Sequence, residues 1–140
     1  MSRSLLHVLV MVALLSVGCS SEPSFETVDD LFATVGGQQW CDDDLRVTLP
    51  PFVGSCGDPT TDARVVLGIS QGGQEIRASV DAARDHLTED GQLLLVPSDP
   101  DQEAAWQLRS RDRGLLEQAQ AQIGGVILDS EGAIDEWLDR

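Results

Sequence analysis

The 140-residue chain contains no lysine and no tyrosine. Its nine basic side chains are all arginine, set against 24 acids, for a formal net charge of −15. That imbalance argues against a nucleic-acid partner, because phosphate binding needs clustered cations to displace counterions. It argues equally against adhesion to an anionic lipid surface by charge alone. Aromatic residues make up only 4% of the chain, so any core must be mostly aliphatic. Long hydrophobic runs are scarce as well. Leu5 to Val17 would cover about 20 Å as a helix, short of the roughly 30 Å hydrocarbon core that a membrane span must cross. What is present is a hydrophobic fraction of 41%. That is too high for a disordered acidic tail and sufficient for one globular body. No internal repeat or low-complexity block interrupts it.

The first residues read as an address. Arg3 and the N-terminus supply positive charge, the Leu5–Val17 run follows, and small residues lead to a cysteine in Leu15-Ser16-Val17-Gly18-Cys19. This is the architecture of a signal peptide. The last five residues resemble the lipobox of bacterial lipoproteins: an aliphatic residue, two small ones, then cysteine. The match holds at Gly18 and Cys19 and is acceptable at Val17. It departs at Ser16, where leucine is usual, and Leu15 stands one place early. The resemblance implies cleavage after residue 18, with Cys19 diacylated on sulfur and becoming the mature N-terminus. Two or three acyl chains hold a protein stably on a membrane, at about 0.8 kcal/mol per buried CH₂. Ordinary secretion with cleavage near Gly18 is the alternative. Residues 19–24 then form a short polar tether and residues 25–140 a single domain.

Three cysteines are an awkward number for an exported chain. With Cys19 carrying lipid, Cys41 and Cys56 remain as a pair that an oxidising compartment would join. The closed loop of about sixteen residues is worth roughly 3 kcal/mol in the chain-entropy picture. Two free thiols are the alternative. A zinc site is a poorer fit, since it asks for four N or S ligands and the mature chain offers two cysteines and His86.

Periodicity places the elements. Thr27 and Asp30 approximate a capping box, and Val28, Leu31, Phe32 and Val35 make one helical stripe closed by Gly36-Gly37. Asp42 to Pro59 reads as an irregular loop stapled by the disulfide, with Leu45, Val47, Leu49 and Phe52 as anchors or a short edge strand. Arg64–Ser70 reads as a central strand. Residues 74–87 fit a helix better than a hairpin strand, on their alanines and length. Gln92–Val96 is a second strand, and Ala105–Arg109 fits a third better than a helix beginning at Pro100. Leu115, Leu116, Ala119 and Ile123 define another helix, and Ile134, Trp137 and Leu138 a last one. The expected fold is α+β: a small mixed three-stranded sheet, helices packed on one face, and one disulfide.

More widely, Trp40-Cys41, Cys56, the Arg64–Ser70 strand, a strand at Trp106 and Gln120-Ala121-Gln122-Ile123-Gly124-Gly125 resemble the small lipoproteins of actinobacteria. Those often run cysteine, cysteine, strand, helix, hydrophobic strand, tryptophan, then a helix ending Leu-Gly-Gly. The resemblance covers most of the mature chain and departs at Ile123 and in the long Pro97–Glu103 loop. It implies an envelope address and brings no activity or catalytic residue.

Several motifs invite chemistry. Gly68-Ile69-Ser70-Gln71-Gly72 fits the G-x-S-x-G nucleophile elbow between a strand and a helix. The mature chain has one histidine to serve it, His86, which a helical 74–87 segment would carry roughly 20 Å away; a plain glycine-rich turn is the simpler reading. The same turn could cradle an anion on the N–H groups of Gly72 and Gly73, but no lysine follows as in a P-loop. Asp42-Asp43-Asp44 lacks the alternation of a calcium loop. Arg109, Arg111 and Arg113 would share one side of a strand end, most simply paired with carboxylates. Trp40, Trp106 and Trp137 read as core plugs. The sequence thus points to a lipid-anchored envelope protein on the outer face of the cell membrane. Its expected role is non-enzymatic binding or interaction, with no cofactor and no catalytic or metal residues. Its partners would be the membrane, through Cys19, and a protein or small molecule. A serine hydrolase using Ser70 and an accessory subunit of an envelope complex are the alternatives.

Overall fold

A computed structural model describes residues 22–41, 45–57, 64–71 and 73–140. Cys19, Asp42–Asp44 and Gly72 lie outside them, and with them the lipobox, the aspartate run and the last residue of the G-x-S-x-G motif. The elements run α1 (Val28–Thr34), a 3₁₀ turn (Gly37–Gln39), β1 (Arg46–Leu49), β2 (Val53–Cys56), β3 (Val65–Ser70), α2 (Gly73–Ala82), α3 (Arg84–Glu89), β4 (Leu93–Val96), β5 (Ala105–Ser110), α4 (Arg113–Ile123), β6 (Val126–Leu128) and α5 (Glu131–Leu138). The expected helix over 74–87 is present as α2 and α3, and Ala105–Arg109 is a strand.

Two expectations are corrected. The sheet has six strands rather than three, in the order β1-β2-β3-β5-β4-β6, and every neighbouring pair is antiparallel. The strand-helix-strand unit does make β3 and β4 parallel, but β5 sits between them. The helices also cover both faces rather than one. Phe25, Leu31 and Phe32 near α1 and Leu116 and Ala119 on α4 pack with Leu67, Leu95, Trp106 and Leu108 of the sheet. Ile76, Val80, Leu87, Ile134 and Trp137 of α2, α3 and α5 pack with Leu94, Val96 and Ala105 on the other face.

The topology accounts for this. The crossovers from β3 to β4 and from β5 to β6 each skip one strand in the same direction across the sheet. Their parent strands are antiparallel, so two crossovers of the same hand must pass over opposite faces. Leu93-Leu94-Leu95-Val96 correspondingly feeds both cores in alternation.

Local chemistry fixes the helix starts. Thr27 Oγ1 accepts the Asp30 N–H at 3.2 Å, Asp112 Oδ1 the Leu115 N–H at 3.2 Å, and Ser130 Oγ the Ala133 N–H at 3.1 Å. Cys41 and Cys56 form a disulfide with Cα atoms 5.9 Å apart. It ties the segment after the 3₁₀ turn to the end of β2, next to β3.

Candidate binding cleft

At the edge of the sheet where β3 ends and β5 begins, a cleft of about 840 Å³ opens. That falls within the range of small-molecule sites, about 300–1,000 Å³. Its apolar walls are Phe25, Pro51, Phe52, Ile69 and Ala104. Three hydrogen bonds hold Pro51, Phe52 and Ile69 in place. The Val28 N–H donates to Pro51 O at 2.8 Å, the Ile69 N–H to Phe52 O at 2.8 Å, and the Phe52 N–H to Leu49 O at 2.7 Å. Together they seat the β1–β2 turn, which contains a cis Pro50–Pro51 bond, on the start of α1 and the end of β3. Ala104 closes the wall with a positive φ of 48°, a conformation that costs an L-residue about 1–2 kcal/mol and tends to occur at functional sites.

The rim is acidic. Glu26, Asp101 and Glu103 line it, and all three are exposed. Arg77 approaches Asp101 at 3.0 Å, but the guanidinium is also engaged by the carbonyls of Leu138, at 2.6 Å, and Arg140, at 3.2 Å. The described residues at the start of α2 are already engaged, and Gly72 lies outside them. Glu75 Oε2 already accepts the Gln71 N–H at 2.7 Å, and Gly73 is packed against Pro100 O and Asp101, where an added Cβ would lie 3.1 Å from backbone atoms. Anions are therefore disfavoured here, and neutral or cationic ligands with an apolar body are favoured.

Ser70 lines the same cleft and is 4% exposed, but His86 is far from it. Ser70 pairs with Ala105 of β5, while Leu93, the first residue of β4, pairs with Ser110 at the other end of that strand. Five residues of strand separate the two ends by about 17 Å. His86 belongs to the Leu93 end, since its carbonyl accepts the Gln92 N–H at 3.4 Å, and its Nδ1 lies 3.0 Å from Asp90 Oδ2. A general base must come within about 3 Å of its proton donor, so His86 cannot serve Ser70.

The arginines expected on one side are divided. Arg109 Nη2 donates to Ser79 Oγ of α2 at 3.2 Å, and burial pushes its pKa below the ordinary arginine value. Arg113, in the first turn of α4, pairs with Asp129. Trp106 and Trp137 are fully buried core plugs, and Trp40 is partly buried. Among the described residues no group of three or more His, Cys, Asp or Glu side chains could hold a metal ion, and no helix is long and apolar enough to cross a membrane.

Glu22 and Pro23, expected as part of a free polar tether, are instead gripped by the folded body. The Glu22 carboxylate accepts the Ser98 N–H at 2.7 Å, the Ser98 hydroxyl at 2.5 Å and the Gly125 N–H at 3.0 Å. The Pro23 carbonyl accepts Trp106 Nε1 at 2.8 Å and Gln102 Nε2 at 2.9 Å. The glycines that cap α4 make room for it. Gly124 has φ +76° and Gly125 φ +92°, and a Cβ on Gly125 would stand 2.4 Å from Val96 O and 2.7 Å from the Trp106 ring. The Gly124-Gly125 pair was the only trace of this clamp in the sequence, and by itself it indicated no more than a helix end.

No protein-family model matches the chain, and no curated protein or solved structure is detectably similar to it.

Proposed function

We propose that the chain is a cell-envelope lipoprotein, anchored by acyl chains on Cys19, whose domain acts as a non-enzymatic binding module with the acidic cleft as its ligand site. The observation that carries the reading is the Cys41–Cys56 disulfide. Such bonds persist in oxidising, extracytoplasmic compartments. Pairing those two leaves a single cysteine, Cys19, directly after the apolar leader. The cleft supports a ligand with an apolar body and a neutral or positively charged group. Phe25, Phe52 and Ile69 supply the apolar contact, and Glu26, Asp101 and Glu103 the field. A hydrolase at Ser70 would need a base other than His86.

Two experiments test the halves of this reading. Cys19→Ala should abolish incorporation of radiolabelled palmitate into the protein; unchanged labelling would remove the anchor. Thermal-shift screening with hydrophobic amines and with matched hydrophobic carboxylates should stabilise the domain only with the amines. Equal or carboxylate-selective stabilisation contradicts the cleft assignment.

A further inference from the structure

We infer that the clamp on Glu22 and Pro23 makes the membrane leash so short that the domain meets the lipid surface with one defined edge. The inference rests on the acylation of Cys19 proposed above. Only Ser20 and Ser21 separate Cys19 from Glu22. Three Cα–Cα steps reach at most about 11 Å, scarcely more than a Debye length at physiological salt, about 8 Å. A tether that was free as far as Phe25 would reach twice as far, about 23 Å.

The edge held down is set by what grips Glu22 and Pro23. Ser98 follows the end of β4, Gly125 precedes β6, and Gln102 and Trp106 bracket the start of β5. This is also the edge where the cleft opens, since Phe25, Asp101 and Ala104 line it. The surface facing the headgroups is thus the Pro97–Ala104 loop with the α4–β6 turn, and the cleft mouth lies beside the bilayer. The exposed acids of that edge, Glu26, Asp99, Asp101 and Glu103, outnumber its arginines, Arg77 beside Asp101 and Arg140 on the Ser98 carbonyl, and give it no net electrostatic attraction to anionic lipid. The covalent leash and the clamp alone hold it there.

The acylated mature protein, purified from membranes, is to be placed in supported bilayers of phosphatidylethanolamine and phosphatidylglycerol and measured by neutron reflectometry. The native protein should show density starting at the headgroups, with a water gap of no more than about 10 Å. The triple variant Glu22→Ala, Gln102→Ala, Trp106→Phe, which removes the Glu22 acceptor and both donors to Pro23 O, should widen that gap by roughly 10 Å as residues 22–24 join the leash. A Gly-Ser spacer inserted between Ser21 and Glu22 should widen it as well while leaving the clamp intact, which covers the case in which the triple variant fails to fold. A wide gap in the native protein, or no change with the spacer, overturns the inference. Hydrogen exchange separates the causes. If Cys19→Ala shows the anchor but the Ser98 and Gly125 amides exchange as fast in the native protein as in Glu22→Ala, the clamp fails and the lipoprotein reading stands. If Cys19→Ala leaves palmitate labelling unchanged, both fall together.

Discussion

Gly125→Ala offers a quantitative test of the packing that underlies the clamp. Gly125 sits at φ +92°, and a methyl placed there would lie 2.4 Å from Val96 O and 2.7 Å from the Trp106 ring. The conformational part costs about 1–2 kcal/mol for an L-residue held at positive φ. The steric part adds about 1–3 kcal/mol, because Val96 O is backbone and Trp106 is fully buried, so neither can yield cheaply. Displacing the Gly125 N–H from Glu22 Oε1 would add about 1.5–3 kcal/mol more, as a hydrogen bond to a charged acceptor is lost. Where all three contribute in part, the variant should lose about 4–6 kcal/mol. Gly91 is the matched control. It also has positive φ, +66°, but nothing lies within 4 Å of its added Cβ, so Gly91→Ala should cost only the conformational part of about 1–2 kcal/mol. Urea unfolding of the two oxidised variants followed by tryptophan fluorescence gives the comparison. Equal losses in the two would refute the claim that close approach at Gly125, rather than backbone conformation alone, is what requires glycine there.

Four further outcomes are expected. Trp106→Phe keeps most of the buried ring but removes the donor to Pro23 O; it should cost roughly 1–2 kcal/mol and make the chain around residues 22–25 the first site of limited proteolysis. Arg77→Met removes the guanidinium that satisfies the Leu138 and Arg140 carbonyls and pairs with Asp101; the side chain is 26% exposed, so the loss should be about 1–2 kcal/mol, with faster amide exchange confined mainly to α5. Replacing Cys41 and Cys56 together by serine should lower stability by about 3 kcal/mol and abolish the effect of reductant on the melting temperature; an unchanged reductant response would contradict the bond. Ser70→Ala should leave labelling by a serine-reactive fluorophosphonate at the background level of the native protein, and Ser70-dependent labelling would reopen the hydrolase.

What could be read from the sequence was local. The Thr27 cap and the stripe of Val28, Leu31, Phe32 and Val35 are present as expected, all four apolar residues buried. So are Leu115, Leu116, Ala119 and Ile123 on α4 and Ile134 and Trp137 on α5. Period-3.6 patterns survive because one helix buries one face. Edge strand β1 agrees with one of the two readings of Leu45–Phe52, whereas β2 and β6 were missed; all three are three or four residues long, too short for alternation to show. β2 also carries Gly54 and Ser55, and the bulge between Val47 and Leu49 breaks the β1 register. Their existence follows from pairing, β1 with β2, β2 with β3 and β6 with β4, which no local pattern reports.

The second helical layer did leave a signal. Leu93-Leu94-Leu95-Val96 is continuously apolar, as a strand covered on both faces should be, whereas the one-faced expectation requires alternation. For the cleft, Ser70 was visible as a motif, but its neighbours Phe25, Phe52, Asp101 and Ala104 converge only through the sheet order. Glu22 was invisible because a lone glutamate between serines and a proline reads as solvated tether. Its role depends on two backbone N–H groups contributed 76 and 103 residues later.

Three cysteines divided into one acylated anchor and one disulfide leave a signature in mass. Intact mass spectrometry of the protein extracted from native membranes, before and after reduction, reads both at once. The expected species is a chain beginning at Cys19, heavier by its acyl groups, that gains two hydrogens on reduction. A polypeptide that retains Met1, carries no acyl mass and is unchanged by reductant would contradict it.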